Sequence, residues 1–271
     1  MKTVTVNYDD EESLISALRG QQFLVLTLSV HAPPDTHSKI VQAAVKAGVP
    51  YIMPNSYGFD IFHEGIRNDI PRIPEQLEHV LEIEKLGASY VNMVCGHWYE
   101  WSLIAFKEGF GFDFQNKQVT FYDEGKTKCD ISTWRQCGRA LAALLSLPEE
   151  GVSPALADWK NKGLYISSFK ISQRDMLDSI HRVTGSTDAD WKIDYEPAEK
   201  RYKDGWKEME QGSRMGFAKL MYARAFYPNG GAEFEPTRGL ANEALGLAKE
   251  DLDEATKRAL DMLASGWRPW P

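Results

Sequence analysis

Phe23-Leu24-Val25-Leu26-Thr27-Leu28 opens a stretch that closes on Tyr51-Ile52-Met53-Pro54-Asn55-Ser56-Tyr57-Gly58. The opening run is nearly all apolar, which is how a strand reads when both faces of a parallel sheet are covered. Pro33 and Pro34 make a loop, and Asp35 or Thr36 can cap the helix that follows. Ile40, Val41, Ala44 and Val45 share one face of that helix, and Gly48 stops it. Tyr51-Ile52-Met53 then reads as the next strand, with Pro54–Gly58 at its carboxyl end.

The same rhythm continues on both sides. Upstream, Val4 and Val6 predict a short strand. Asp9 to Glu12 supply a cap and an acidic first turn for a helix carrying Leu14, Ile15 and Leu18, ended by Gly20. Downstream, Pro74 opens a helix through Leu77, Val80 and Leu81 to Gly87, and Tyr90–Cys95 is a further strand. Repeated β-α units of this length predict an α/β fold with a doubly wound, Rossmann-like parallel sheet.

Beyond residue 100 the alternation loosens. Lys117–Tyr122 reads as one more strand and Ile131–Leu147 as a helix. From Leu164 the chain is mostly helical, with Ser172 as a cap, Pro197 as a helix opener and Glu250–Leu263 as the last helix. The expected organisation is a nucleotide-binding domain over residues 1–160 and a smaller, helix-rich region over 161–271 that shapes the substrate site.

One signal is missing. None of the 21 glycines stands in a G-x-G-x-x-G or G-x-x-x-x-G-K arrangement. In a dinucleotide-binding sheet that loop follows the first strand and presents a helix N-terminus to the pyrophosphate. The expectation is a Rossmann-like sheet truncated at its N-terminal side. Three arrangements answer to that: a copy of a longer protein, a sheet that re-pairs the Val4 and Phe23 strands directly, or a partner chain that completes the sheet.

Bulk properties narrow the function classes. The 271 residues carry a net charge of -8, which argues against nucleic acid or an anionic membrane as partner. Cys95, Cys129 and Cys137 are scattered and odd in number, which suits a reducing compartment. Met1-Lys2-Thr3-Val4 lacks the apolar stretch of a secretory signal. The expected place is the cytoplasm, with the nucleus also open.

Val4 to Asp10, Ala47-Gly48-Val49-Pro50-Tyr51 and Pro54-Asn55-Ser56-Tyr57-Gly58 carry a resemblance. So do Glu84 to Tyr90, Cys95-Gly96-His97-Trp98-Tyr99-Glu100, Ser167-Ser168-Phe169, Val183-Thr184-Gly185 and Glu250 to Thr256. In order and spacing these strings resemble the NmrA-like and isoflavone-reductase-like family, atypical short-chain dehydrogenase/reductases, in its fungal branch. The resemblance covers nearly the whole chain. It implies NADP(H) as cofactor, bound weakly or not at all if the sheet is truncated, and either reduction of a small aromatic or secondary-metabolite-like substrate or a non-catalytic, dinucleotide-sensing role on a partner protein; a truncated pseudo-enzyme that binds neither is the third alternative. It also implies a catalytic lysine on the helix that ends at Gly87. Counting back from Glu84, the matching position is Glu75 or Gln76, and neither is a lysine.

Candidate site residues follow from position and chemistry. Open α/β sheets bind ligands beyond the carboxyl ends of their strands. Pro54, Asn55, Tyr57 and Gly58 stand there, as do Ser29 and His31 after the preceding strand, so these six are expected to face the cofactor. Trp98 and Tyr99 are expected to wall a flat substrate. His97 is the candidate proton donor. Tyr122-x-x-x-Lys126 has the spacing of a short-chain dehydrogenase pair, but Asp123-Glu124-Gly125 reads as a turn and cannot hold the two on one helical face. Asp188 to Glu199 lacks the glycine of a calcium loop, and the six histidines show no ligand spacing, so no metal is expected. A small molecule is the expected partner, with a protein partner or homo-oligomer as further options.

Overall fold

The computed structural model describes residues 3–228 and 231–267. The chain divides into two compact units, each made of several separate stretches of sequence. The first comprises Met1–Tyr57, Arg72–Val94 and Leu147–Leu164, and the second Gly58–Pro71, Cys95–Ser146 and Tyr165–Pro271.

The first unit is built on a four-stranded sheet in the order Phe23–Val25, Tyr51–Met53, Ser89–Val94, Lys162–Tyr165. The first three strands run parallel, in register Phe23 against Tyr51 and Tyr51 against Ser89. Helix Glu11–Leu18 precedes the first strand, and helices Thr36–Lys46 and Ile73–Lys85 lie in the connections between the strands, as the apolar spacing predicted. Asp10 caps the first helix by accepting the Glu12 and Ser13 amides at 3.1 and 3.3 Å. Asp35 makes no such side-chain cap for the second; its carboxylate pairs with Lys39 at 2.8 Å instead.

Burial distinguishes the strands. Every residue of Tyr51–Met53 and Ser89–Val94 is buried, whereas Phe23, Leu24 and Val25 are all half-buried. Phe23–Val25 is an edge strand, paired on one side only among the described residues. The predicted strand at Val4 and Val6 does not form. Val4 is 52% exposed, and among the described residues no strand pairs with the segment.

The second unit combines helices with two three-stranded sheets. One orders Lys192–Glu196, Gln118–Tyr122 and Phe112–Asp113, and the other His97–Trp98, Cys129–Ser132 and Phe169–Ile171. Cys129–Ser132 corrects the sequence reading, in which the helix began at Ile131. Ile131 pairs with Phe169, and the helix starts only at Trp134, capped by Thr133. Helices Ala198–Glu210 and Arg214–Ala225 form a tight hairpin in which glycine is required: a Cβ on Gly216 would lie 2.4 Å from the Met209 nitrogen. The core of this unit is strongly aromatic, with Tyr99, Phe110, Phe121, Tyr122, Tyr222 and Phe226 all buried.

Candidate functional site

In the first unit the parallel strands bring the expected ligand-facing turns to one end of the sheet. The chain past Phe23–Val25 stays straight because residues past Met53 hold it. The Leu26 amide donates to the Met53 carbonyl at 3.0 Å. Asn55 then replaces a strand residue: its Oδ1 accepts the Leu28 amide at 3.0 Å and its Nδ2 donates to the Leu28 carbonyl at 3.4 Å. The Tyr57 hydroxyl donates to the Leu26 carbonyl at 2.7 Å. The polar groups expected to meet a cofactor are therefore engaged in fixing the Leu26–Leu28 segment. Pro54 is buried, while Ser29 and His31 are exposed on the loop that this segment leads into. Ser29 Oγ accepts the His31 amide at 3.2 Å, which shapes that loop.

A contact that sequence reading did not foresee ties the turn to a helix. The Ser56 hydroxyl, almost wholly buried, donates to Gln76 Oε1 at 3.1 Å. Gln76 is one of the two positions at which the resemblance implies a lysine, and the structure places it beside the Pro54–Tyr57 turn. Only its position in the count from Glu84 pointed to it.

The same helix carries a second unforeseen feature. His79 stacks on His37 with ring centroids 3.9 Å apart. Both His37 nitrogens are buried without a hydrogen-bond partner among the described residues. Burial, with the neighbouring His79, pushes the His37 pKa down to about 3.

In the second unit, Gly58 accepts the amides of Cys95 and Gly96 at 3.1 and 2.9 Å, so its backbone is anchored, with φ at 136°. His97 is 7% exposed, stacks on Tyr222 at 4.2 Å and meets Phe59 and Phe110 edge-on. Burial holds its pKa down to about 3, so at neutral pH the ring is uncharged and has no extra proton to give. The geometry makes His97 a packing residue, against the expectation of a proton donor. Tyr99 is equally enclosed. Its hydroxyl shares a 2.6 Å hydrogen bond with Thr256, and burial raises its pKa. Tyr99 belongs to the core and not to an open wall. Trp98, 37% exposed, remains available as a flat surface.

Asp60, two residues past Gly58, organises a further polar group that the sequence did not signal. Its buried carboxylate accepts from Tyr165 Oη at 3.1 Å and from Arg238 Nε at 2.9 Å. Tyr122 closes the case of the Tyr122-x-x-x-Lys126 spacing. It ends a strand with its hydroxyl donating to the Gly109 carbonyl, while Asp123 and Gly125 turn the chain at positive φ and Lys126 pairs with exposed Glu124.

No family model matches the chain. The oxidoreductase aprR of Aspergillus flavus is 25% identical over 252 residues, which is 92% of this chain and 80% of that protein. A crystal structure of isoflavone reductase superposes with a TM-score of 0.72 at 18% identity, covering 93% of this chain and 79% of that one. The chain is isoflavone-reductase-like in fold. Triphenylmethane reductase from Citrobacter, solved as a complex with NADP(H), superposes with a TM-score of 0.65 at 18% identity over 96% of this chain and 84% of that one. The isoflavone-reductase-like architecture thus extends over nearly every described element, and the α/β, Rossmann-like reading of the sequence holds.

Proposed function

We propose that this chain is an NADP(H)-dependent oxidoreductase acting on a small aromatic or secondary-metabolite-like molecule. What carries the reading is the set of parallel strand ends at Leu26–Leu28 and Pro54–Gly58, fixed by Asn55 and Tyr57 on an isoflavone-reductase-like sheet. Ligands of open α/β sheets lie at such ends. Bound NADPH would supply hydride. The residues that fit its nicotinamide end are Ser29 and His31 on their exposed loop and the rigid turn Pro54-Asn55 with Tyr57.

The diphosphate end is served differently from a glycine-loop protein. The helix that follows the Phe23–Val25 strand begins at Thr36, and the residue ahead of it is Asp35, a carboxylate that repels phosphate. Charge-assisted hydrogen bonds contribute about 1.5–3 kcal/mol each. Two such bonds fewer than a glycine loop provides would weaken binding by about 3–6 kcal/mol, on the order of 10²–10⁴-fold. NADPH is therefore expected to bind, and more weakly than to triphenylmethane reductase measured in the same calorimeter.

A second reading has specific support. Gln76 stands at the lysine-like position and His97 is neutral and enclosed, so neither offers a charged proton donor. A dinucleotide-sensing regulator that binds a protein partner needs neither. Turnover separates the two: NADPH consumed with an aromatic ketone or quinone supports the oxidoreductase, and NADPH bound but never consumed supports the regulator.

A further inference from the structure

We propose that the side-chain amide of Gln76 is the hydrogen-bond donor that receives a ligand's carbonyl oxygen at the carboxyl end of the Tyr51–Met53 strand. This rests on the aromatic-ligand reading above and names the functional group such a ligand carries. Three observations combine. First, Ser56 is 2% exposed, so its hydroxyl needs a protein partner, and Gln76 Oε1 at 3.1 Å is that partner. Second, that bond fixes the amide's orientation: the oxygen is occupied, and Nε2 is left with two N–H groups that have no hydrogen-bond partner among the described residues. Third, the Ser56 amide bonds the Pro54 carbonyl at 2.8 Å, which curls the turn tightly and holds Ser56, and through it Gln76, beside the strand end.

The chemistry of the donor selects the acceptor. A neutral amide N–H on a half-buried side chain pairs well with a neutral carbonyl oxygen. It lacks the charge that would favour a carboxylate or phosphate. A planar aromatic ketone or quinone combines that acceptor with a ring. Gln76 acts here by positioning, since an amide delivers no proton at neutral pH.

The test compares acetophenone with ethylbenzene, which share ring and carbon skeleton and differ in the carbonyl. Binding to the full chain is followed by tryptophan fluorescence or calorimetry. Wild type is expected to prefer acetophenone by about 3–10-fold, the worth of one neutral hydrogen bond. Gln76→Leu should abolish the preference, and Gln76→Glu, an acceptor, should invert it. Ser56→Ala, which frees the amide to turn over, should weaken it. Both compounds bound with no preference in wild type, or a preference that survives in Gln76→Leu, overturns the assignment while leaving the aromatic-ligand reading in place. If neither compound binds wild type, the aromatic-ligand reading fails and this assignment fails with it.

Discussion

Mild acid should destabilise this protein, and His97→Phe should remove about half of that sensitivity. His37 and His97 each have a folded pKa of about 3, against an ordinary value near 6.5. The unfolded chain therefore binds more protons than the native one between those two values. Stability contributed by each neutral ring is complete above 6.5 and lost as pH falls toward 3. Each proton changes the free energy by about 1.36 kcal/mol per pH unit. Moving from pH 7.5 to 5.0 crosses about 1.5 units of this window, so each ring costs about 2 kcal/mol and the pair about 4 kcal/mol. Among the described residues His97 packs against the rings of Phe59, Phe110 and Tyr222, and burial alone lowers its pKa. His37 faces His79, which burial also lowers, while Glu75, Glu78 and Glu82 act in the opposite sense on His79. Urea denaturation at several pH values, for wild type and His97→Phe, measures the slope. Phe is nearly isosteric with the ring and suits its aromatic surroundings, so the variant should fold and lose about 2 kcal/mol of the acid penalty. Identical pH slopes in the two proteins would refute the reasoning. So would a loss of turnover in a well-folded His97→Phe, because that would return His97 to proton transfer.

Two further outcomes test the architecture. Gly216→Ala should destabilise by about 1–3 kcal/mol because its Cβ meets the Met209 backbone. Gly138→Ala, with open space around its Cβ, should stabilise by up to about 1 kcal/mol; equal effects in thermal melts would contradict the hairpin geometry. Asn55→Leu should cost about 1–3 kcal/mol and speed hydrogen exchange at the Leu28 amide, and an unchanged exchange rate would show that Asn55 does not hold that strand end.

Much of the first unit was legible because local signals agreed with the final packing. The apolar run Tyr51–Met53 and the mostly apolar run Tyr90–Cys95 fell on fully buried strands, the second at Ser89–Val94, and Asp10, Gly48 and Gly87 punctuated the helices as their chemistry dictates. The Val4 segment failed the same reading because a strand needs a neighbour, which composition does not supply. Ile131 was misplaced because a short apolar run beside a helical pattern fits either period. At the site, position was legible and orientation was not. Asn55 and Tyr57 do stand at a strand end, yet their hydrogen-bonding groups turn to Leu28 and Leu26. His97 and Tyr99 looked like site residues because their burial depends on Tyr222 and Thr256, far along the chain. The contact between Ser56 and Gln76 likewise joins elements that no local pattern relates.

Whether the strand ends serve an oxidoreductase reaction is decided by NADPH consumption by the purified chain with an aromatic ketone or quinone as acceptor, followed as loss of reduced-nicotinamide absorbance. The expected result is acceptor-dependent oxidation that saturates at a higher NADPH concentration than triphenylmethane reductase requires. No oxidation with any acceptor, whether or not NADPH binds, overturns the oxidoreductase reading.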